Sequence, residues 1–285
     1  MTAILPPWII LDPLLTSWLQ EDIGRGDRTT KSIFQEQEIV TKGYWIAKEE
    51  GIVAGLPLAR RVFKLLDIAV DFQPIVTEGI SVKKGQKIAE FSGAVQPLLT
   101  GERVALNLAM CLSGIATLTN RYVREIADLP TQLVDTRKTT PGLRILEKYA
   151  TSVGGSRNHR LGLDDAVMIK DNHIQAVGGI KKAVSLVRQS IPYTTTVEVE
   201  TTNLTEVKTA IEAQVDIIML DNMQLETMQE AVQIIRDSKR NIKIEASGNV
   251  TLDNLVSIAK TGVDFISTSA TITRSRWLDI SMRFG

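Results

Sequence analysis

Three short stretches of this 285-residue chain gather side chains suited to anion or acid-base chemistry. The first is Asp135-Thr136-Arg137-Lys138-Thr139-Thr140-Pro141-Gly142. Two adjacent cations followed by hydroxyls, proline and glycine read as an anion-binding loop. Arginine offers a bidentate fork to carboxylate or phosphate, and lysine a point charge. The bland alternative is a solvated basic loop. The second stretch is Gly154-Gly155-Ser156-Arg157-Asn158-His159-Arg160, where glycines let backbone amides approach a ligand closely. The third is Met168-Ile169-Lys170-Asp171-Asn172-His173. A lysine ending a strand can hold an anion or form a Schiff base, and position does not decide between them. Residues 137 to 160 carry a local net charge of +5. His159 and His173 are fourteen residues apart, which is no metal-ligand spacing, and a structural role suits either as well as a functional one.

Farther along, carboxylates and small residues replace the cations. Glu200 and Asp221 each end an apolar run, and read either as holders of ribose hydroxyls or a Mg²⁺-bound substrate, or as helix N-caps. Ser247-Gly248-Asn249 and Thr268-Ser269-Ala270 follow the last two apolar runs. Small residues there expose backbone N–H groups to a phosphate, helped by a helix N-terminus. Together these residues suit a ligand with carboxylates at one end and a phosphorylated sugar at the other.

Such residues need strand ends to bring them together. Six apolar runs recur after Pro130: Leu133-Val134-Asp135, Val167 to Lys170, Thr196 to Glu200, Ile217 to Asp221, Ile242 to Glu245, and Val263 to Ser267. Each ends in a polar residue and leads into a helical stretch, the pattern of repeated βα units. A parallel α/β barrel, whole or incomplete, is the expected fold, with its site at the C-terminal strand ends. An open doubly wound sheet is the alternative, but the GxGxxG fingerprint is absent.

The first hundred residues read as mixed α and β. Pro13 to Gln20 suggests a short helix, Gly43 to Ala54 a strand pair turning at Gly51, and Leu56 to Leu66 an amphipathic helix. Residues 78 to 88 resemble the hairpin of lipoyl and biotinyl carriers, without a second signature, and read as a structural hairpin with solvated lysines. A long helix is expected from Thr100, as N-cap, toward Ala127. Its middle is apolar around most of its girth and must be buried on several sides, an inter-subunit face being one way.

Composition narrows the class. A chain 44% hydrophobic and 23% charged is not disordered. With 33 basic and 33 acidic residues the net charge is zero, unlike a dedicated nucleic-acid module. The sum hides a gradient: −2 over residues 1 to 136, +5 over 137 to 160, +1 over 161 to 197 and −4 over 198 to 285. The single cysteine, Cys111, forbids an intrachain disulfide and reads as core. No apolar run approaches the ~20 residues that span a bilayer, and Met1-Thr2-Ala3 lacks a leader's charge. A reduced cytoplasmic setting is the expectation.

The ordered set of motifs resembles quinolinate phosphoribosyltransferases over nearly the whole chain. It comprises Glu21-Asp22 and Gly26-Asp27 with Thr29-Thr30, Gly101-Glu102-Arg103 with Leu106-Asn107, and Leu112 to Thr117. It continues through Asp135 to Gly142, Asn158-His159-Arg160, Lys170 to His173, Glu198-Val199-Glu200 and Leu220-Asp221-Asn222. The resemblance implies an N-terminal α/β sandwich (residues 1–111, with 274–285 packing back on it) and an α/β barrel of about seven strands (112–273). It implies condensation of quinolinate with phosphoribosyl pyrophosphate, using Mg²⁺, to give nicotinate mononucleotide, pyrophosphate and CO₂ in NAD biosynthesis. It also implies a homodimer, or a hexamer as a trimer of dimers, with Arg103 reaching the neighbouring subunit's site. Thr136, Arg137, Lys138, His159, Arg160 and Lys170 match the quinolinate side. Glu200 and Asp221 match the ribose and metal-pyrophosphate carboxylates. Ser247, Gly248, Asn249, Thr268, Ser269 and Ala270 match the phosphate loops. Lys138, Lys170, Glu200 and Asp221 are the expected catalytic set. Ser156, Ser269 and Arg274 depart from the family, which usually shows Gly, Gly and His there. Rival readings are a molybdenum-transport-associated paralogue, a Schiff-base phosphosugar lyase built on Lys170, and a carrier using residues 78 to 88.

Overall fold

The side chain of Trp45 meets Phe72 edge-on at 5.0 Å and Phe63 at 6.4 Å, and around these rings the N-terminal core condenses. The computed structural model describes residues 3–35, 37 and 39–285; Met1 and Thr2, read above for a leader, lie outside them. Two compact units result. The first comprises residues 1–120, 145–155 and 274–285. Helices α1 (Trp8–Ile23), α2 (Arg28–Phe34) and α3 (Leu56–Leu66) alternate with strands β1 (Val40–Ala47), β2 (Gly51–Ile52), β3 (Asp71–Pro74), β4 (Ser81–Val82) and β5 (Lys87–Ala94), before α4 (Val95–Glu125). The antiparallel sheet runs β12-β1-β5-β3, where β12 (Ile280–Phe284) comes from the C-terminus. Its inner face is layered with Leu15 and Leu19 of α1, Val62 and Phe63 of α3, and Leu98 and Ala105 of α4.

Several local expectations change. The long helix begins at Val95, not Thr100, because Pro97 is tolerated in the first turn, where its missing N–H costs nothing. Thr100 instead donates its hydroxyl to Asp27 at 3.1 Å. Gly51 makes no turn between paired strands: β2 pairs with β4, and a Cβ at Gly51 would fall on Leu278 and Thr117. Residues 78 to 88 form a corner between two sheets, since β4 pairs with β2 while β5 pairs with β1 and β3. Among the described residues α4 is the one helix long and apolar enough to cross a membrane, and 56% of that stretch is buried inside the protein.

The motif Ser113-Gly114-x-x-Thr117 works as joinery. Ser113 Oγ accepts from Ala54 N at 2.9 Å and donates to Ala54 O at 3.0 Å, and Thr117 Oγ1 accepts from Ile52 N at 2.8 Å. Gly114 lets the returning C-terminal segment cross α4, where a Cβ would land on the Arg276 carbonyl oxygen. Cys111, expected in the core, is only partly buried, and this burial pushes its thiol up to about 11, away from the reactive thiolate.

The second unit comprises residues 121–144 and 156–273. Its first strand is β6 (Gln132–Val134); α5 (Arg144–Val153), next in the chain, belongs to the first unit but for Arg144, and then come β7 (Val167–Ile169), α6 (Asp171–Val177), α7 (Ile180–Ser190), β8 (Val197–Thr201), α8 (Leu204–Glu212), β9 (Ile217–Asp221), α9 (Leu225–Asp237), β10 (Lys243–Ser247), α10 (Leu252–Ala259), β11 (Phe265–Ser267) and α11 (Ala270–Thr273). The strands are parallel in the order β6-β11-β10-β9-β8-β7. All six expected strands are present; the family's count of about seven becomes six and a single bridge, Val134 to Arg157. Asp135 accounts for that truncation. Its carboxylate takes Asn158 Nδ2 at 2.6 Å and His159 N at 2.8 Å, drawing the chain out of the ladder after one residue.

Candidate active site

Residues at or just beyond the C-terminal part of every strand of the second unit line one pocket of about 550 Å³. A flat six-stranded sheet would separate its edges by about 24 Å, so convergence on one pocket requires the sheet to curve into a barrel wall. His159 confirms the curvature, since its Nε2 stands 3.1 Å from Glu198 of β8 and 3.5 Å from Glu245 of β10, strands that are not neighbours.

Thr136, Arg137 and Lys138 follow β6, His159 and Arg160 follow the bridge at Arg157, and Lys170 follows β7. Glu200 ends β8 with Thr201, Asp221 ends β9, and Ser247, Gly248 and Asn249 leave β10. Charge therefore follows sheet order: cations at the two edges, carboxylates next to β7, small residues beyond. The halves touch where Lys170 Nζ meets Glu200 Oε2 at 3.0 Å. The helix-cap alternative for the carboxylates fails, because Asn203 caps α8 and Gln224 occupies the N-cap of α9.

Other expected residues lie elsewhere. Arg103 is exposed on α4, in the first unit. His173 faces its own helix start: Nδ1 accepts from Lys170 N at 3.1 Å, so it is a cap. Thr268, Ser269 and Ala270 do not line the pocket, whose wall there is Ser267. The N–H of Thr268 is given to the Val134 carbonyl and that of Ala270 to Thr268 Oγ1, so neither is left for a phosphate.

Four lining residues were not anticipated: Met168, Met219, Glu245 and Ser267; the neighbouring Asn222 joins them. Three of them sit two residues before an expected one, on Lys170, Asp221 and Ser247. Period-two alternation puts i and i+2 on the same strand face, so the signal was available. The same rule places Glu198 under Glu200.

The floor of the pocket is electrostatically unusual. Glu198 and Glu245 are both nearly fully buried, and each has one carboxylate oxygen without a hydrogen-bond partner. Burial, then the charge of Glu198, pushes the Glu245 carboxyl up to about 8. His159 Nδ1 accepts from Arg160 N at 2.7 Å, which leaves the ring proton on Nε2, facing the two carboxylates. Arg160 is anchored through Nη1 to the Ala166 carbonyl at 2.9 Å. Burial and the neighbouring Arg137 lower its proton affinity. The two guanidiniums repel one another, a repulsion that an anion placed between them would relieve.

Comparison with known proteins places this arrangement. Family models described as quinolinate phosphoribosyl transferase, N-terminal domain and C-terminal domain, match residues 27–113 and 115–283. A probable carboxylating nicotinate-nucleotide pyrophosphorylase of Synechocystis sp. is 61% identical over 98% of this chain and 94% of its own. A Bacillus subtilis protein of the same description is 44% identical over 95% and 92%. Among solved structures, NadC from Streptococcus pyogenes superposes with a TM-score of 0.93 at 40% identity, covering 98% of both chains.

Proposed function

The chain belongs to the quinolinate phosphoribosyltransferase family, and we propose that the pocket of its second unit is where quinolinate and phosphoribosyl pyrophosphate are joined. The enzyme is a decarboxylating phosphoribosyltransferase of NAD biosynthesis, producing nicotinate mononucleotide, pyrophosphate and CO₂. The observation that carries the assignment of the site is the charge order around it: five cationic or imidazole side chains from one set of strand ends, two carboxylates from the next, small residues beyond.

Arg137, Lys138, Arg160 and Lys170 hold the two quinolinate carboxylates, with His159 fixing the loop that presents Arg160. The ring nitrogen is the nucleophile, so the protein's main task is alignment. Glu200 and Asp221 face the ribosyl carbon, where departure of pyrophosphate leaves positive charge that nearby carboxylates stabilise. The backbone of Ser247-Gly248-Asn249 receives the 5′-phosphate. The same carboxylates suit Mg²⁺, a hard cation held by one or two carboxylates together with substrate phosphates. When bound, it neutralises the leaving pyrophosphate. Lys170 is engaged by Glu200 as a cation, the opposite of the free amine that a Schiff-base lyase needs.

The working unit in this reading is a homodimer or a trimer of dimers in the cytoplasm, with Arg103 of a second copy completing the quinolinate side. Incubation with quinolinate, phosphoribosyl pyrophosphate and Mg²⁺ should release CO₂ and nicotinate mononucleotide; the absence of both products would overturn the reading.

A further inference from the structure

The residue after β9 and the loop after β10 are tied together in a way that charge does not explain. Asn222 stands at φ 53° and Asn249 at φ 46°, the left-handed region that side-chain-bearing residues rarely enter. Such strain persists only where the surroundings enforce it. The Asn222 N–H donates to the Ser247 carbonyl at 2.9 Å. Its Nδ2 donates to Asp221 Oδ2 at 2.7 Å, and its Oδ1 accepts from Asn249 Nδ2 at 3.0 Å. A carboxylate only accepts, so Asp221 dictates which end of the amide faces it and leaves the oxygen for Asn249. The amide also lies against Gly248, where a Cβ would fall on Asn222 Oδ1. From the far side, Asn254 Nδ2 donates to the Asn249 carbonyl at 3.0 Å.

We infer that Asn222 is a positioning residue that locks the Asp221 carboxylate to the Ser247-Gly248-Asn249 loop, so that one rigid unit meets both ends of phosphoribosyl pyrophosphate. This rests on the site assignment above. Asp221 and the loop belong to different strands, and their separation must match the distance from pyrophosphate to 5′-phosphate on one substrate. Small errors in such alignment are costly to the reaction. The quinolinate side chains come from β6, β7 and the bridge segment, so the effect falls on one substrate.

The test uses Asn222→Ala, Asn222→Gly and Asn222→Asp in the full-length enzyme. Calorimetry gives the Kd of phosphoribosyl pyrophosphate with Mg²⁺ on protein saturated with phthalate, whose benzene ring lacks the nucleophilic nitrogen. The Kd of quinolinate is measured alone. Alanine and glycine should each weaken phosphoribosyl pyrophosphate about ten-fold and leave quinolinate within about two-fold, the loss expected for one hydrogen bond to a charged group. Glycine accepts φ 53° without strain, so its matching alanine would locate the effect in the side chain. Aspartate should be worse than alanine, since it sets a second carboxylate beside Asp221. Unchanged binding in both alanine and glycine variants overturns the inference, as does equal weakening of the two ligands. Wild-type protein that fails to bind phosphoribosyl pyrophosphate overturns the site assignment and this inference with it.

Discussion

Lys170 Nζ stands 3.0 Å from Glu200 Oε2, an ion pair that joins the basic and acidic sides of the pocket, as His159 does with the buried Glu198 and Glu245. Lys170 is about half exposed, 47% by side chain, so the pair adds little to stability in solvent. In the proposed reading, its value lies in placing one cation between a carboxylate of the protein and those of the substrate.

Lys170→Ala should therefore leave Tm nearly unchanged while lowering kcat/KM for quinolinate roughly 10- to 100-fold, the worth of a charge-assisted hydrogen bond. Lys170→Arg should not restore it, because the guanidinium is planar and longer. Steady-state kinetics beside thermal melts checks both; a large Tm loss with unaltered kinetics would reverse the assignment.

Glu245 predicts a pH dependence of stability. Its carboxyl is pushed up to about 8 by burial and by Glu198, against 4.5 ordinarily. Between those values the native state keeps a proton that the unfolded chain has released, so stability falls as pH rises through the window, by up to ~1.4 kcal/mol per unit. Glu245→Gln keeps the shape and removes the titration. Melts across the range should show a flatter slope in the variant; parallel slopes would show that Glu245 holds no such proton.

In the proposed dimer, Arg103→Ala and Lys170→Ala should each be strongly impaired alone and more active when mixed. Random re-pairing makes half the dimers mixed, each with one intact site, for up to about a quarter of wild-type activity. No recovery, with subunit exchange demonstrated by mass spectrometry, would place Arg103 outside the shared site.

Gly114→Ala should destabilise by about 1–3 kcal/mol or more, since the new methyl meets the backbone oxygen of Arg276 and not a yielding side chain. Hydrogen exchange should then show β12 opening first. Unaltered protection at β12 would mean that the crossing can widen freely.

What the sequence determined by itself was local. Each strand run of the second unit was legible because a buried parallel strand must be apolar and must end where polar residues begin, as at Ile217 to Asp221. The expected pocket residues followed from that rule, because the fold class places chemistry at strand ends. Tertiary structure decided what depends on neighbours distant in the chain. Asp135 cut the seventh strand to one bridge through contacts with Asn158 and His159, and no periodicity reports a side chain that captures a backbone N–H 24 residues away. Thr268 and Ala270 looked like phosphate donors until their N–H groups proved to be spent on Val134 and on Thr268 itself. Glu198 and Glu245 read as ordinary acidic positions on two strands. Only curvature of the sheet buries them against one histidine, where the cost of desolvating charge, not the residue type, sets how they behave.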